Sequence, residues 1–471
     1  MNEIIEKFLQ KGYLLSPELY HYKRELLYEI AEIIQPSKTL KILNKEVVEK
    51  LIGKKEKEYG QLQIVKEYKP ELYKSFAKPE AWHSLFLSKY NKLKEILMKK
   101  LPKAISIKQA SRKINQEVEI IGMVFDYRKT STGNFLLVLD DPTGKINVII
   151  PKEKEEIFNL ITYDEVIGVI GTVKSKETII AKEIIFPDIP YQQTKPIFEE
   201  DVYVAFIGDT HVGSKYFLPR LTKRFIDWVN GRIGNEKQKE IAEKLRYIFV
   251  LGDIVDGVGV FPEQEKELEI KDIYKQYEVF SEFFNSLRED IVKIVIPGNH
   301  DGLRLQEPQP PFPDDYRKIL ENNIENVLIT SNPAWISIKN ENRELVFLLY
   351  HGYGFDYYVH NVEYLKKYKY DKMSRVLRWL LLKRHLAPSH GAIPLAPLLN
   401  DYMVIDKVPN VFVGAHIHKT DVGVYKGVLL LTTSCFQGPS AFQKLLGHNP
   451  NPGEILLLNL RNMKILNIKL L

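Results

Sequence analysis

Apolar and polar positions change their period along this chain of 471 residues. Near the amino terminus the apolar residues recur at helical spacing: Ile4 and Ile5 with Phe8 and Leu9, then Leu26 and Leu27 with Ile30, Ala31, Ile33 and Ile34 before a Pro36-Ser37 break. Trp82, Leu85, Phe86, Tyr90, Leu93, Ile96 and Leu97 take up that period again and predict a helix over residues 79–100. The charged stretch from Gly53 to Gly60 predicts a linker or hinge between them. Over residues 106–185 the pattern turns strand-like. Predicted strands lie at 118–124, 135–139 and 146–150, a short helix at 152–160, and two more strands at 165–173 and 177–185. Beyond residue 201, apolar runs at 202–207, 247–251, 291–296, 345–350 and 411–413 lack alternating polar positions, which is how strands buried on both faces read.

Three strands, a helix and two strands within some 80 residues is the order of an OB-fold barrel, with another small β barrel as the alternative. A proline-punctuated connection, Pro187 to Pro196, separates it from the last region. The pattern predicts a multidomain α/β chain: a helical region over 1–53, a linker and helix over 54–105, an OB-fold domain over 106–190, and a domain of buried strands with helices over 201–471.

Composition narrows the class. Hydrophobic residues make up 44% and charged residues 27%, as in globular proteins, and no apolar stretch of about 18 residues could span a bilayer. No signal peptide is legible in the first residues, so a cytoplasmic protein without membrane contact is the expectation. With Cys435 alone, no intramolecular disulfide or cysteine-based zinc cluster is available. Abundant Lys, Glu and Ile beside so little Cys is a hyperthermophile-like composition. Residues 1–115 hold 24 Lys and Arg against 14 Asp and Glu in a chain of net charge +6, so the basic excess sits at the amino-terminal end. Such an excess suits phosphate-rich partners and also ordinary solvated helices.

Each buried run after residue 201 ends in a polar segment: Gly208-Asp209-Thr210-His211, Gly252-Asp253-Ile254-Val255-Asp256-Gly257, Gly298-Asn299-His300-Asp301, His351-Gly352 and Gly414-Ala415-His416-Ile417-His418. Open α/β sheets place their sites at that strand end. Asp209 and His211, two residues apart on an extended turn, can chelate one ion. Asp253 offers two carboxylate oxygens, enough to bridge two ions about 3.5–4 Å apart. Asn299 adds a neutral oxygen, and His351, His416 and His418 add ring nitrogens. This mixed donor set suits Mn²⁺, Fe²⁺, Zn²⁺ or Ni²⁺ better than Mg²⁺ or Ca²⁺, and Mn²⁺ is the ion expected. Flanking glycines permit close backbone approach at the strand ends. Phe312 and the aromatic run 353–358 follow two of the motifs, where packing and stacking on exposed bases are both open.

The ordered motifs, over about residues 201–435, resemble those of the calcineurin-like metallophosphoesterase superfamily. That resemblance implies a β-sandwich flanked by helices and two divalent ions, one held by Asp209, His211, Asp253 and His418, the other by Asp253, Asn299, His351 and His416. It implies that His300 stabilises or protonates the leaving oxygen while a water activated between the ions attacks phosphorus in line, with Asp256 and Asp301 in supporting positions. A barrel directly before such a domain is similar to the small subunits of replicative polymerases. The segments Arg384-His385-Leu386-Ala387-Pro388, Pro394-Leu395-Ala396-Pro397, Asp401-Tyr402-Met403-Val404-Ile405, Gln443-Lys444 and Phe86-Leu87-Ser88-Lys89-Tyr90 resemble those of the archaeal D-family DNA polymerase small subunits. The resemblance implies a 3′–5′ exonuclease acting on single-stranded or mismatched DNA 3′ ends, partnered by a large catalytic polymerase subunit, with other replication-fork proteins as further candidates. A non-catalytic scaffold and a stand-alone metallophosphatase are the alternatives.

Overall fold

The computed structural model describes residues 2–16, 60–68, 79–440 and 449–470, with isolated positions at 19, 27–28, 30–31, 34, 36–37, 41–43, 47–48 and 443–444. Most of the expected linker, residues 54–59, lies outside them.

The chain divides into one compact unit of residues 1–63 and 337–344 and a second of residues 64–336 and 345–471. In the first, helix α1 (Asn2–Gln10) buries Ile4 and Phe8 against Leu19, Leu27, Ile30 and Leu43, the i, i+4 face that the periodicity predicts. The region is not helical throughout. β1 (Tyr13–Leu15) pairs in parallel with β2 (Lys41–Leu43), and β3 (Gln61–Lys66) is a further strand in the stretch expected to be linker and helix. Three-residue strands are too short to display a period of two, so the pattern could not reveal β1 or β2.

In the second unit, α2 (Pro79–Met98) buries Tyr90, Leu93 and Leu97 against Leu101, Ile121 and Val166. Five strands close a barrel in the order β4-β5-β6-β8-β7: β4 (Glu117–Lys129), β5 (Phe135–Asp141), β6 (Gly144–Ile150), β7 (Val166–Ser175) and β8 (Thr178–Ile185). Alternation makes the barrel, because Phe135, Leu137 and Leu139 point inward while their neighbours in β5 do not. Asp141 sets the β5–β6 turn by accepting the backbone N–H of Thr143 (2.7 Å) and of Gly144 (3.1 Å) through one oxygen.

The remaining strands form two sheets. One has the order β12-β11-β10-β9-β18-β19, from β9 (Tyr203–Ile207), β10 (Leu245–Leu251), β11 (Val292–Ile296), β12 (Val327–Ile329), β18 (Glu454–Asn459) and β19 (Ile465–Lys469). The other runs β16-β17-β15-β14-β13-β3, from β13 (Ala334–Asn340), β14 (Arg343–Tyr350), β15 (Val411–Gly414), β16 (Asp421–Tyr425) and β17 (Val428–Thr432). Phe206 and Phe249 of the first sheet meet Phe347 of the second, with ring centroids 6.3 and 5.2 Å apart. Each is fully buried, a burial of about 2–3 kcal/mol per ring. Outside, α3 (Pro219–Val229), α4 (Glu236–Glu243), α5 (Ile273–Asn285) and α6 (Asp314–Asn323) share a core with the first sheet. Helices α7 (Phe355–Asn361) and α8 (Ser374–Lys383) share one with the second. Parallel neighbours β9, β10 and β11, and likewise β14 and β15, bring every predicted donor to one end of this sandwich. Among the described residues no helix is long and apolar enough to cross a membrane.

Glu454, in β18, accepts Thr420 Oγ1 (2.6 Å) and Asn467 Nδ2 (2.9 Å) and pairs with Lys469 (2.9 Å). Burial alone would raise its carboxyl, yet these donors hold it down from 4.5 to about 2. Between those values the unfolded chain binds the extra proton, so this stability is present above pH 4.5 and is lost as pH falls towards 2. Glu454→Gln is expected to cost about 1 kcal/mol at neutral pH, a figure discounted for partial exposure. It should also flatten the acid limb of stability measured by urea unfolding.

Candidate metal centre

Five site residues that are not glycine occupy the left-handed backbone region: Asp209, His211, Asp253, His416 and His418, with φ between 48° and 70°. Strain of this kind persists where surrounding structure over-determines it, and here the loops are tied to one another. Asp209 N–H donates to Gly252 O (3.0 Å), His211 N–H to Asp253 O (3.0 Å) and Ala415 N–H to His351 O (2.9 Å). Asp301 clasps two loops at once: its carboxylate accepts the N–H groups of Asp253 (2.9 Å), Val255 (3.1 Å) and Gly298 (2.7 Å). At Gly298 a Cβ would collide with Asp253 Oδ1 and come within 2.8 Å of His351 Cε1, so only glycine fits.

The donors gather into two groups. Asp209, His211 and His418 present ligand atoms within 4.8 Å of one another, and so do Asp253, His351 and His416. Asp253 lies between the groups, its Oδ2 being 3.7 Å from His211 Nε2 and 3.3 Å from His351 Nε2. Asn299 Oδ1 sits 2.9 Å from His351 Nε2. Sequence reasoning thus named seven potential donors that the fold does bring together.

The contacts within this constellation fit cations. His351 Nδ1 donates to Leu251 O (2.7 Å), which in the neutral ring leaves an Nε2 lone pair aimed at two oxygens. His211 Nδ1–H donates to Asp256 Oδ1 (3.0 Å), which in the neutral ring leaves its Nε2 lone pair pointing into the site, 3.1 Å from His418 Nε2; the Gln443 amide nitrogen lies 3.0 Å from His418 Nδ1. Asp209 Oδ1 is buried without a hydrogen-bond partner. Buried oxygens facing one another are costly unless a positive charge lies between them. Burial pushes the Asp209 carboxyl well above the usual carboxylate range, and the Asp253 charge adds to that. Burial would lower the His351 imidazole, but Asp253 outweighs it and lifts the group to about 10, a proton taking the place that a cation would fill. Divalent metal bound among these donors would relieve these conflicts.

His300 stands beside these groups. Its backbone N–H donates to Asp253 Oδ1 (2.8 Å), its Nδ1–H donates to Asp256 O (2.9 Å), and its ring packs edge-on against His211 at 4.7 Å. The free Nε2 belongs to a side chain 18% exposed. Phe261, an exposed aromatic that sequence reasoning did not select, has its ring 6.2 Å from that of His300.

Supporting contacts were only partly foreseen. Asp256 and Asp301 hold ligands and loops as described. Asp356 does comparable work: its Oδ2 accepts from His416 Nε2 (3.0 Å) and leaves Nδ1 for an ion, while Tyr370 Oη donates to Asp356 Oδ1 (2.8 Å). Of the two readings left open for Phe312, packing holds: it is a core residue, 2% exposed and packed edge-on against Tyr277. Phe355 and Tyr358 are buried too, whereas Tyr353 keeps a partly exposed ring 5.6 Å from His416.

Two facing sheets with a histidine-aspartate cluster at their shared strand ends define a calcineurin-like phosphoesterase domain, and that family's profile matches residues 202–420. A second profile, an OB-fold nucleic acid binding domain, matches residues 118–189. The chain is 36% identical to the DNA polymerase II small subunit of Methanothermobacter thermautotrophicus over 99% of each chain. It is 34% identical to the one from Thermoplasma acidophilum, covering 98% of this chain and 92% of that one. Against Archaeoglobus fulgidus the values are 38% identity, 73% and 68%. The chain belongs to the family of archaeal DNA polymerase II small subunits.

Proposed function

We propose that this chain is a 3′–5′ exonuclease that hydrolyses phosphodiester bonds at single-stranded or mismatched DNA 3′ ends, while a separate large subunit carries polymerisation. The same reading divides the chain at 1–53, 54–105, 106–190 and 201–471. The carrying observation is the complete donor set: Asp209, His211 and His418 on one side, Asn299, His351 and His416 on the other, with Asp253 between them. A scaffold would have no need to keep buried, mutually repelling oxygens and strained histidines in place.

Divalent ions held there, with Mn²⁺ the one we expect and Zn²⁺, Fe²⁺ or Ni²⁺ equally compatible with the donors, would supply Lewis acidity towards phosphoryl oxygens and lower the pKa of water. The protein supplies geometry. Asp301 fixes the Asp253 and Gly298 loops, Asp256 turns His211 towards the site, and Asp356 turns His416. His300 has its Nδ1–H committed to Asp256 O, so Nε2 is the atom that holds or gives a proton at the leaving 3′ oxygen. Phe261 and Tyr353 provide partly exposed ring faces for an unpaired terminal base.

With Mn²⁺ the purified chain is expected to release labelled mononucleotides at once from a 3′-labelled single strand, and a descending ladder from a 5′-labelled one. Intact 3′ ends across a panel of Mn²⁺, Zn²⁺, Fe²⁺ and Ni²⁺ would sink the proposal. Hydrolysis of an aryl phosphate with none of DNA would replace it with a phosphatase.

A further inference from the structure

A groove of about 310 Å³ lies between the first turns of α8 and the edge strand β16, lined by Lys372, Ser374, Arg375, Arg378, Asp421 and Val424 among others. Gly423 lies on its floor, where a Cβ would come within 2.8 Å of Ser374 Cβ, so the bare backbone lets the helix settle onto the strand. The groove's cations outnumber the acids near them: Asp421 acts on Arg375 and Asp371 on Lys372, neither as an ion pair. Arg375 donates to Tyr364 Oη at 3.3 Å and lies over the Tyr368 ring, and Arg378 lies over the Tyr425 ring. Among the described residues neither arginine, nor Lys372, has a carboxylate within ion-pair distance, in a chain whose other surface cations are often paired. The one acid in the groove, Asp421, already accepts Ser374 N–H through Oδ2 (2.8 Å). Asp371, beside Lys372 in sequence, pairs with Lys419 (2.6 Å).

The groove adjoins the metal centre. Asp421, Thr432 and Gly414 form one cross-strand row, so its near end lies two strand spacings, about 10 Å, from the strand end that carries His416 and His418. Lys419 follows His418 directly but is neutralised by Asp371, so the unpaired cations begin at Lys372 and run along α8 through Arg375 to Arg378, which lies over Tyr425 at the far end of β16. We infer that Lys372, Arg375 and Arg378 hold backbone phosphates of a single DNA strand a few nucleotides back from the 3′ end that enters the metal centre. This rests on the reading of that centre as acting on DNA 3′ ends. Nucleic acid is favoured over an acidic peptide strand because the row of cations leads away from the centre, in line with a substrate that must extend out of it.

The test reads binding without hydrolysis, in the full chain with EDTA. A labelled single strand of about 15 nucleotides is titrated by fluorescence anisotropy across a salt series. For Lys372→Gln, Arg375→Gln and Arg378→Gln combined, the salt slope is expected to fall by about 2, at about 0.7 per phosphate, and affinity at low salt about tenfold. Arg375→Lys with Arg378→Lys should retain the slope, which separates lost charge from lost folding. An unchanged slope in the triple glutamine variant would overturn the inference. So would a polyglutamate peptide that binds the native chain and not the variant while DNA binding stays equal. An inactive chain that still shows the slope change would refute the exonuclease and leave the groove standing as a DNA site.

Discussion

Replacing His300 by alanine is expected to lower the turnover of single-stranded 3′ ends by about 10²–10⁴-fold, the range for losing a positioned proton donor. Metal content and KM should change little. The reason lies in how the ring is held. Nδ1–H is spent on Asp256 O at 2.9 Å, and neither of the two donor groups flanking Asp253 Oδ2 includes this side chain. Its backbone N–H still donates to Asp253 Oδ1 in the variant, so the loop keeps its anchor. Asp253→Ala should behave differently and lose bound metal together with activity, because its carboxylate sits between both groups. Turnover at each pH, KM and bound metal measured side by side separate the two roles. If His300→Ala lost its metal, the grouping of His211, Asp256 and His300 would be a binding site in its own right, and the proton role would fall. Full activity in His300→Ala would remove the proton role outright.

The donors were legible because each closes a buried apolar run, and strand ends are read from the same pattern that makes the core. Asp209, Asp253, Asn299, His351, His416 and His418 needed no knowledge of sheet order to be named. What could not be read is any partner chosen by tertiary placement alone. Asp356 lies 60 residues from His416, inside an aromatic run that draws attention to its rings, and only the packing of α7 sets it against the imidazole. Gln443 is 25 residues past His418, and the resemblance that marks Gln443-Lys444 says nothing of its contact with that ring. Phe312 could not be decided from sequence, since a ring among prolines leaves packing and stacking both open until Tyr277 is seen to cover it. The barrel was legible from alternation over long strands, whereas β1 and β2 were too short to alternate.

Lys383→Ala is expected to cost about 3–5 kcal/mol, the largest loss we foresee for a residue outside the metal centre. Lys383 ends α8 and pairs at 2.5 Å with Glu165, which precedes barrel strand β7; both are fully buried. Thr162 N–H donates to Glu165 Oε1 at 2.8 Å, and Lys383 Nζ also lies 3.9 Å from the centre of the Phe186 ring. Burial pushes Lys383 down to about 8 against the pull of Glu165, so near neutral pH the ammonium persists only because the carboxylate faces it. Alanine leaves Glu165 charged, buried and held by one amide. Burial raises that carboxyl, and the chain must protonate it, hydrate it or part the barrel from the helix. Lys383→Met with Glu165→Leu should recover most of the loss, since apolar groups of similar volume need no solvation. Urea unfolding followed by tryptophan fluorescence measures the loss, and one of the four tryptophans, Trp379, sits at this contact: its ring lies 5.4 Å from Lys383 Nζ and its Nε1–H donates to Leu160 O (2.9 Å). A single variant as stable as the native chain would mean that Glu165 is not charged where it is buried. A double variant no better than the single would mean that the pair positions the barrel through geometry that leucine and methionine cannot reproduce.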